Sequence, residues 1–420
     1  MLNREDWAGK SVLLLQGPIG PYFKRLAGDL RQAGARRVLK VNFCGGDQLF
    51  YPGGISFNGP LTGVPAFVEE LVRAQALDAV ALFGDCRPVH AGVAAACARA
   101  GVHLYVFEEG YFRPSWVTCE EGGVNGYSGN PACADFFRSL PDQPPEVERP
   151  PRRLSYYAMA GWAMLYYVAS LLLRLRYPLY IHHRDTSVVL ESARWARGVF
   201  RKYLYAWHDR GLQRRLTTQH HKNFFLVPLQ VHNDAQIMTH SDYAGVPQFI
   251  ENVLVSFARE APAGRVLVFK PHPMDRAYCE YRKLITQLAT EHGVTDRVHY
   301  VHDLHLPTLL DSACGAVVVN STVGLVAVHQ GVPAKVMGRA FYDFEGLTFQ
   351  GSLAEFWHSH ASGAPDPTLY VAFRRWVIAQ TQINDNFYAA IPGAGAVVRN
   401  AGHLPRTSST RSAFGTARNV

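Results

Sequence analysis

Over the first 115 residues, short continuous apolar runs alternate with segments whose apolar positions recur every three or four residues. SVLLLQG (11–17), RRVLKVNFCGG (36–46), DAVALFGD (78–85) and VHLYVFEEG (102–110) have strand length and composition. Between them, PYFKRLAGDLRQAG (21–34), VPAFVEELVRAQAL (64–77) and HAGVAAACARAG (90–101) read as helices. Strand, helix, strand at this spacing predicts right-handed crossovers and a parallel sheet. Runs apolar at every position predict strands covered on both faces.

A second alternation begins near residue 222. KNFFLVPLQ (222–230), RVLVFKPHP (265–273), RVHYVHD (297–303), GAVVVN (315–320) and VPAKVMG (332–338) read as strands. VPQFIENVLVSFAREA (246–261) has Phe249, Ile250, Val253, Leu254 and Phe257 on one helical face. AYCEYRKLITQLATEHG (277–293), LPTLLDSA (306–313) and STVGLVAVHQG (321–331) complete the helices. The fold class is α/β. The expected divisions are an N-terminal unit (1–135), a helical or interfacial connector (136–220), a C-terminal unit (221–392) and a disordered tail (393–420) without an acidic residue.

The connector breaks the alternation. PDQPPEVERPPRR (141–153) reads as a Pro- and Arg-rich loop. Leu154 to Leu173 then carries no charge, with Arg152, Arg153, Arg174 and Arg176 flanking it and four tyrosines and a tryptophan inside. Aromatic residues with basic flanks fit an interfacial helix. A buried interdomain helix and a spanning helix are the alternatives, and a single span would part the two units that must share a cleft.

Composition narrows the partners. The 420 residues are 48% hydrophobic and 18% charged, which suits two globular domains. A net charge of +8, without a dense Lys/Arg run, favours phosphorylated small molecules or an anionic membrane over nucleic acid. Seven cysteines without a CxxC pair point to a reducing compartment and no zinc site. MLNREDWAGK lacks the apolar core of a signal peptide, so the expected location is cytoplasmic.

The candidate chemistry lies at strand ends, where ligands bind in open α/β sheets. In KPHP, His272 can donate to a phosphate oxygen, Lys270 adds charge and Pro273 stops the strand; a turn with a surface histidine is the plainer reading. In VNSTVGL (319–325), Asn320, Ser321 and Thr322 stand at a strand-to-helix junction with free N–H groups, or form a simple cap. Together the two elements favour a nucleotide phosphate. In the first unit, Gln16, Gly17 and Gly20 of QGPIGPYF, Asn42 of NFCGGD, and Asp85 and Arg87 of GDCRP would line one crevice with FEEGYFRP (107–114). There Glu108 and Glu109 form either a solvated turn or an acid/base whose pKa is raised by its neighbour. PLQVHND (228–234) brings Gln230 and Asp234 from the opposite side, and carboxylates across a cleft suit glycosyl chemistry. In IHHRD (181–185), His183 and Arg184 are candidate phosphate or acceptor contacts, since adjacent histidines do not share a helical face for a metal.

QGPIGPYFKRL, KVNFCGGDQLFYPGG, LFGDCRPVH, YVFEEGYFRP, YIHHR, PLQVHNDAQI, FKPHPMDRAY and VNSTVGL together resemble the capsule polysaccharide biosynthesis proteins of the KpsS/LipB type, from about residue 10 to residue 357. The resemblance implies a GT-B-like fold: two Rossmann-like domains with parallel sheets facing a central cleft. It implies a retaining β-Kdo transferase, peripheral at the inner face of the cytoplasmic membrane. CMP-Kdo would be the donor and an anionic, phosphatidylglycerol-type lipid the acceptor, with no cofactor and no obligatory metal. Other capsule assembly proteins are further expected partners. It assigns acid/base work to Glu108 or Glu109, the CMP phosphate to His272, Ser321 and Thr322, and the nucleophile to Asp234. A sialyltransferase-like enzyme using another CMP-sugar, and a non-catalytic part of a capsule assembly or export complex, are the rivals.

Overall fold

The structure, a computed structural model, describes residues 7–141, 156–180 and 188–388. The first unit runs β1 (Ser11–Leu14), α1 (Tyr22–Gln32), β2 (Arg37–Asn42), α2 (Gly45–Phe50), β3 (Ile55–Ser56), α3 (Val64–Ala74), β4 (Ala79–Phe83), α4 (Val93–Ala100), β5 (His103–Glu109), β6 (Val117–Glu121). The connector holds α5 (Ala134–Arg138), α6 (Tyr156–Leu172), α7 (Val188–His208) and α8 (Leu212–Thr218). The second unit runs β7 (Phe224–Pro228), α9 (Ala235–His240), α10 (Val246–Glu260), β8 (Val266–Lys270), α11 (Arg282–Glu291), β9 (Val298–Tyr300), α12 (Leu306–Ser312), β10 (Gly315–Val318), α13 (Val323–His329), β11 (Ala334–Val336), α14 (Leu353–Ser359), α15 (Pro367–Thr381). A final strand, β12 (Gln382–Ile383), follows.

The fold is α/β and GT-B-like, with two Rossmann-like sheets. The first has the order β12-β6-β5-β4-β1-β2-β3 and the second β11-β10-β7-β8-β9. Both contain the same winding: three strands laid outward from the first, then a return across it to the fourth and fifth. Every pair in the second sheet, and every pair from β3 to β5 in the first, is parallel. The direction of winding reverses between β1 and β4 in one sheet and between β7 and β10 in the other. Those two points, at the carboxyl ends of the strands, are where this architecture opens a ligand crevice.

Alternation of side chains explains why the strands are apolar throughout. Val12 and Leu14 enter a core with Tyr22, Phe23 and Leu26 of α1, while Leu13 faces a second core with Val64 and Val68 of α3. In the second sheet Phe224 and Leu226 face one core and Phe225 and Val227 the other. Each such buried side chain contributes roughly 1.5–3 kcal/mol.

Four features depart from the expected organisation. β6 is antiparallel to β5, and β12 adds antiparallel to β6. Ile383 and Phe387 therefore pack in the first unit's core, so the end of the 221–392 segment belongs with residues 1–135. Phe137 of α5 is buried in the second unit's core, so this part of the connector is part of that unit. The helix expected from Ala277 begins only at Arg282, because Tyr278 and Cys279 donate their N–H groups to the Asp275 carbonyl (2.8 and 2.9 Å) and close a turn.

Candidate active site

At the β7/β10 switch point the loop ends are knitted together. Asp234 is the N-cap of α9, its Oδ1 accepting the Gln236 N–H (2.9 Å). Its Oδ2 accepts from Gln230 Nε2 (3.0 Å), which also donates to Asn320 Oδ1 (3.0 Å). Asn320 Nδ2 in turn donates to the Gln236 carbonyl (3.0 Å) and the His240 carbonyl (3.4 Å). The structure thus brings Gln230, Asp234 and Asn320 into one network. It fixes the Asp234 carboxylate in direction while leaving part of its acceptor capacity free.

The KPHP segment leaves β8 beside this network. Met274 N–H donates to His272 Nδ1 (3.2 Å), so the proton of the neutral ring sits on Nε2, a donor nitrogen. Burial, then the charges of Arg113 and Lys270, push this histidine down to about 4. It is therefore a neutral N–H donor at physiological pH. Lys270 is buried, and burial lowers its pKa while Asp303 opposes the shift. Pro273 is the first residue of a 3-10 turn reaching Ala277. Ser321 Oγ accepts the Val323 N–H (3.2 Å), and Thr322 leads into the seven-residue α13 without a side-chain cap.

Three groups here were missed in the sequence. Arg113, from FEEGYFRP in the first unit, acts on His272 in the second. Asp275, with no exposed surface, accepts the His232 backbone N–H (3.0 and 3.2 Å) and its Nδ1–H (2.7 Å). This pair clamps the QVHND loop to the KPHP loop. The signal was available, because His232 and Asp275 lie inside or directly after motifs already singled out.

In the first unit, Glu108 and Glu109 point to opposite faces of β5: Val106 belongs to one core and Phe107 to the other. Glu108 shares its face with the loop after β4, and Arg87 and Asp85 act on it there. Burial pushes its carboxyl up to about 7, with the Glu109 N–H (3.0 Å) and Arg87 opposing. Asp85 accepts the Val124 N–H (3.0 Å), and burial raises its pKa. Arg87 lies over the Phe83 ring (4.4 Å) and donates to the Gly17 carbonyl (3.4 Å). Gly110 must be glycine, since a Cβ would lie 2.0 Å from the Trp116 carbonyl oxygen.

Two residues expected to line the cleft are sealed instead. Gln16, only 2% exposed, donates to Asp47 (3.2 Å), Tyr166 (3.4 Å) and Tyr180 (2.9 Å), because α6 lies across α2 at the ends of β1 and β2. A Cβ at Gly45 would lie 2.1 Å from the Ala169 carbonyl oxygen, so this crossing is close. Asn42 is buried, donating to the Tyr51 carbonyl (3.0 Å) and accepting from Lys40 (3.2 Å). Gly17 abuts the Phe23 ring, where a Cβ would meet it at 2.8 Å, and Gly20 supplies a positive φ of 124°. His183 and Arg184 lie outside the described residues.

The two units meet at this rim. Cys86 Sγ lies 3.5 Å from His240 Nε2, and Tyr127 stands edge-on to the same ring at 4.4 Å between centroids. Tyr111, next to Gly110, stacks on Phe341 at 4.0 Å. Since α9 rises about 1.5 Å per residue, the six steps from Asp234 to His240 advance the backbone about 9 Å along the helix axis toward the Cys86 contact.

The family of capsule polysaccharide biosynthesis proteins matches residues 78–388, and the chain belongs to that family. Among its relatives is the capsule polysaccharide export protein KpsS of Escherichia coli, 41% identical over 91% of this chain and 97% of that protein. The capsule polysaccharide modification protein LipB of Neisseria meningitidis is 38% identical over 91% of this chain and 93% of its own. Solved structures with a similar course include two from Thermosulfurimonas dismutans. The KpsC β-Kdo 2,4 transferase has a TM-score of 0.41 at 13% identity, covering 87% of this chain and 90% of that one. The KpsC β-Kdo 2,7 transferase has 0.38 at 16%, covering 84% and 90%. The sequence relatives, not these structures, place the chain in capsule polysaccharide biosynthesis.

Proposed function

We propose that the chain is a retaining glycosyltransferase that moves Kdo from CMP-Kdo to a phosphatidylglycerol-type lipid at the inner face of the cytoplasmic membrane, starting the linker for capsular polysaccharide. The observation that carries the reading is the shared rim, where a neutral His272 donor and Arg113 stand near a capped carboxylate, Asp234, with Glu108 across the interface. In this reading Asp234 attacks the anomeric carbon as its bond to the CMP phosphate oxygen breaks. The charge that develops on the phosphate is met by His272 Nε2–H and Arg113. Glu108 then takes the acceptor's hydroxyl proton, and the acceptor oxygen displaces Asp234 to restore the anomeric configuration. The reading requires neither a cofactor nor an obligatory metal, so transfer should survive chelation.

The test is release of CMP from CMP-Kdo in the presence of phosphatidylglycerol, with mass spectrometry of the lipid product. The expected result is a Kdo-bearing lipid, lost in His272→Ala and Asp234→Ala. Full activity in both variants would remove the site assignment. Competition by other CMP-sugars separates the sialyltransferase-like reading. The export designation of the Escherichia coli relative favours a second reading, a non-catalytic part of an assembly and export complex. It predicts that a folded Asp234→Ala variant still supports capsule production.

A further inference from the structure

Of the eighteen large apolar side chains exposed among the described residues, thirteen fall between Met159 and Trp207. They are not scattered, and together they exceed what isolated surface residues explain. Part of the set lies on α6 and the 3-10 turn that follows it, Arg174–Arg176. Leu175, at the centre of this turn, is 96% exposed between two exposed arginines. The turn is held firmly. The Tyr177 hydroxyl bonds to Gln48 Oε1 (2.8 Å) and Ser56 Oγ (3.1 Å), and Arg176 donates to Ser56 Oγ (3.3 Å).

Leu179 follows this turn, and the remaining five lie on α7, which has two faces. Arg197, Arg201, Tyr205 and, just past its end, Asp209 recur every four residues along one edge and grip the second unit. Arg197 donates to the Ala277 carbonyl and Arg201 to the Arg276 carbonyl (3.0 Å). Tyr205 donates to Glu280 and stacks on His302 at 3.6 Å, and Asp209 accepts the His302 N–H (2.7 Å). The 3-10 turn from Pro273 to Ala277, which begins at the HP pair, is thus fastened to α7. On the opposite face Val199, Phe200, Tyr203, Leu204 and Trp207 recur at helical spacing, with Phe200 68% and Tyr203 70% exposed. From Ser192 to His208 the sequence contains no acidic residue; Arg197 and Arg201 hold the second unit and Arg194 lies over the Tyr278 ring (5.3 Å), while Lys202 is exposed beside the apolar face.

We propose that this α7 face and the Leu175 turn dock on an anionic phospholipid bilayer, one contact from each unit. Aromatic and aliphatic side chains with basic neighbours enter the headgroup boundary of such a surface and add electrostatic attraction. No helix among the described residues is long and apolar enough to cross a membrane, so the contact lies in the plane of the surface. The proposal deepens the lipid-acceptor reading and names what carries it to the membrane. Through α7 the lipid contact reaches the donor loop directly.

The experiment is co-sedimentation of the full chain with vesicles of phosphatidylcholine alone or with phosphatidylglycerol, in the absence of donor. The expected result is binding to the anionic vesicles, weakened at least tenfold in Phe200→Asp/Trp207→Asp and also reduced in Leu175→Asp. All these side chains are exposed, so melting temperatures should match the wild type. Equal binding to neutral and anionic vesicles, or undiminished binding by the variants, overturns the proposal. So does a wild-type dimer that the variants convert to monomer, since a second copy would then cover the face. Vesicle binding without any Kdo transfer would sink the reaction and leave this surface standing.

Discussion

Replacing Glu108 with Gln should stabilise the fold at alkaline pH and slow transfer, two opposite effects from one carboxyl. Burial holds Glu108 at about 7 against an ordinary 4.5. A carboxyl whose folded pKa exceeds its unfolded one gives its full stabilisation below the unfolded value. That stabilisation is lost as pH rises from 4.5 through about 7, because the unfolded chain releases its proton first. At about 1.4 kcal/mol for each pH unit, the loss by about pH 8 is about 3 kcal/mol. Glutamine keeps the shape and carries no charge, so Glu108→Gln should recover most of this at about pH 8 and little near pH 4. Glu120, also pushed up to about 7 by burial, and Asp385, pushed up to about 6, contribute with the same sign. The wild type should therefore keep a falling stability that Glu108→Gln flattens only in part. Urea unfolding at several pH values, for the wild type, Glu108→Gln and Glu120→Gln, resolves the shares. Transfer by Glu108→Gln should fall by about a hundredfold or more, the usual worth of a positioned acid/base. A variant less stable than the wild type at about pH 8, or one with an undiminished transfer rate, would refute the reasoning.

His272→Ala should weaken CMP binding in calorimetry and cost about a hundredfold in transfer. Because the ring is held at about 4, wild-type CMP affinity should show no step from this residue as pH falls from 8 to 5, and a step that disappears in the variant would contradict the assignment. Asp275→Asn leaves the His232 pair half satisfied and should cost about 2 kcal/mol in urea unfolding while lowering CMP affinity, whereas an unchanged affinity would detach the clamp from the donor site. Gly45→Ala places a methyl against the backbone of α6 and should cost about 3 kcal/mol and expose Tyr166 fluorescence to quenching; a variant with the wild-type melting temperature would show that the crossing can shift freely.

The parallel units were legible because burial on both strand faces leaves an unmistakable run of apolar residues, as in SVLLL and RVLVF. β12 was not legible: two residues, Gln382 and Ile383, form a strand only because β6 offers an open edge. The 3-10 turn after His272 was hidden for a similar reason, since its shape depends on Asp275 and the distant His232. α7 was missed because its apolar stripe lies on the exposed side, while polar side chains make the buried contacts. Asp234, His272 and Glu108 do lie at or just past strand ends, as the apolar runs implied. Pairing across the interface could not be read from spacing, so Arg113 passed as part of a turn. Gln16 and Asn42 carried the right chemistry for a cleft, but the fate of Gln16 depended on where α6 lies and that of Asn42 on the Tyr51 carbonyl and Lys40.

The expected picture set acids of the first unit against a phosphate cradle in the second, and the contacts rearrange it. The first unit brings a cation, Arg113, to bear on His272, while its carboxyl, Glu108, acts on Cys86 at the far end of α9. Asp234 begins that helix, and His240 ends it against Cys86. Both ends are tied: Asn320 bonds the Gln236 and His240 carbonyls, and the Arg339 N–H donates to the His240 carbonyl (2.7 Å). A short helix fixed in this way spaces the Asp234 and His240 backbones by about 9 Å along its axis. In the proposed reaction the two acids serve separate steps, Asp234 in the loss of CMP and Glu108 on the acceptor hydroxyl. Crosslinking Cys86 to a cysteine placed at His240 would hold this spacing. Transfer that persists in the crosslinked protein assigns the acids to separate steps, and transfer that returns only on reduction assigns catalysis to a closed form.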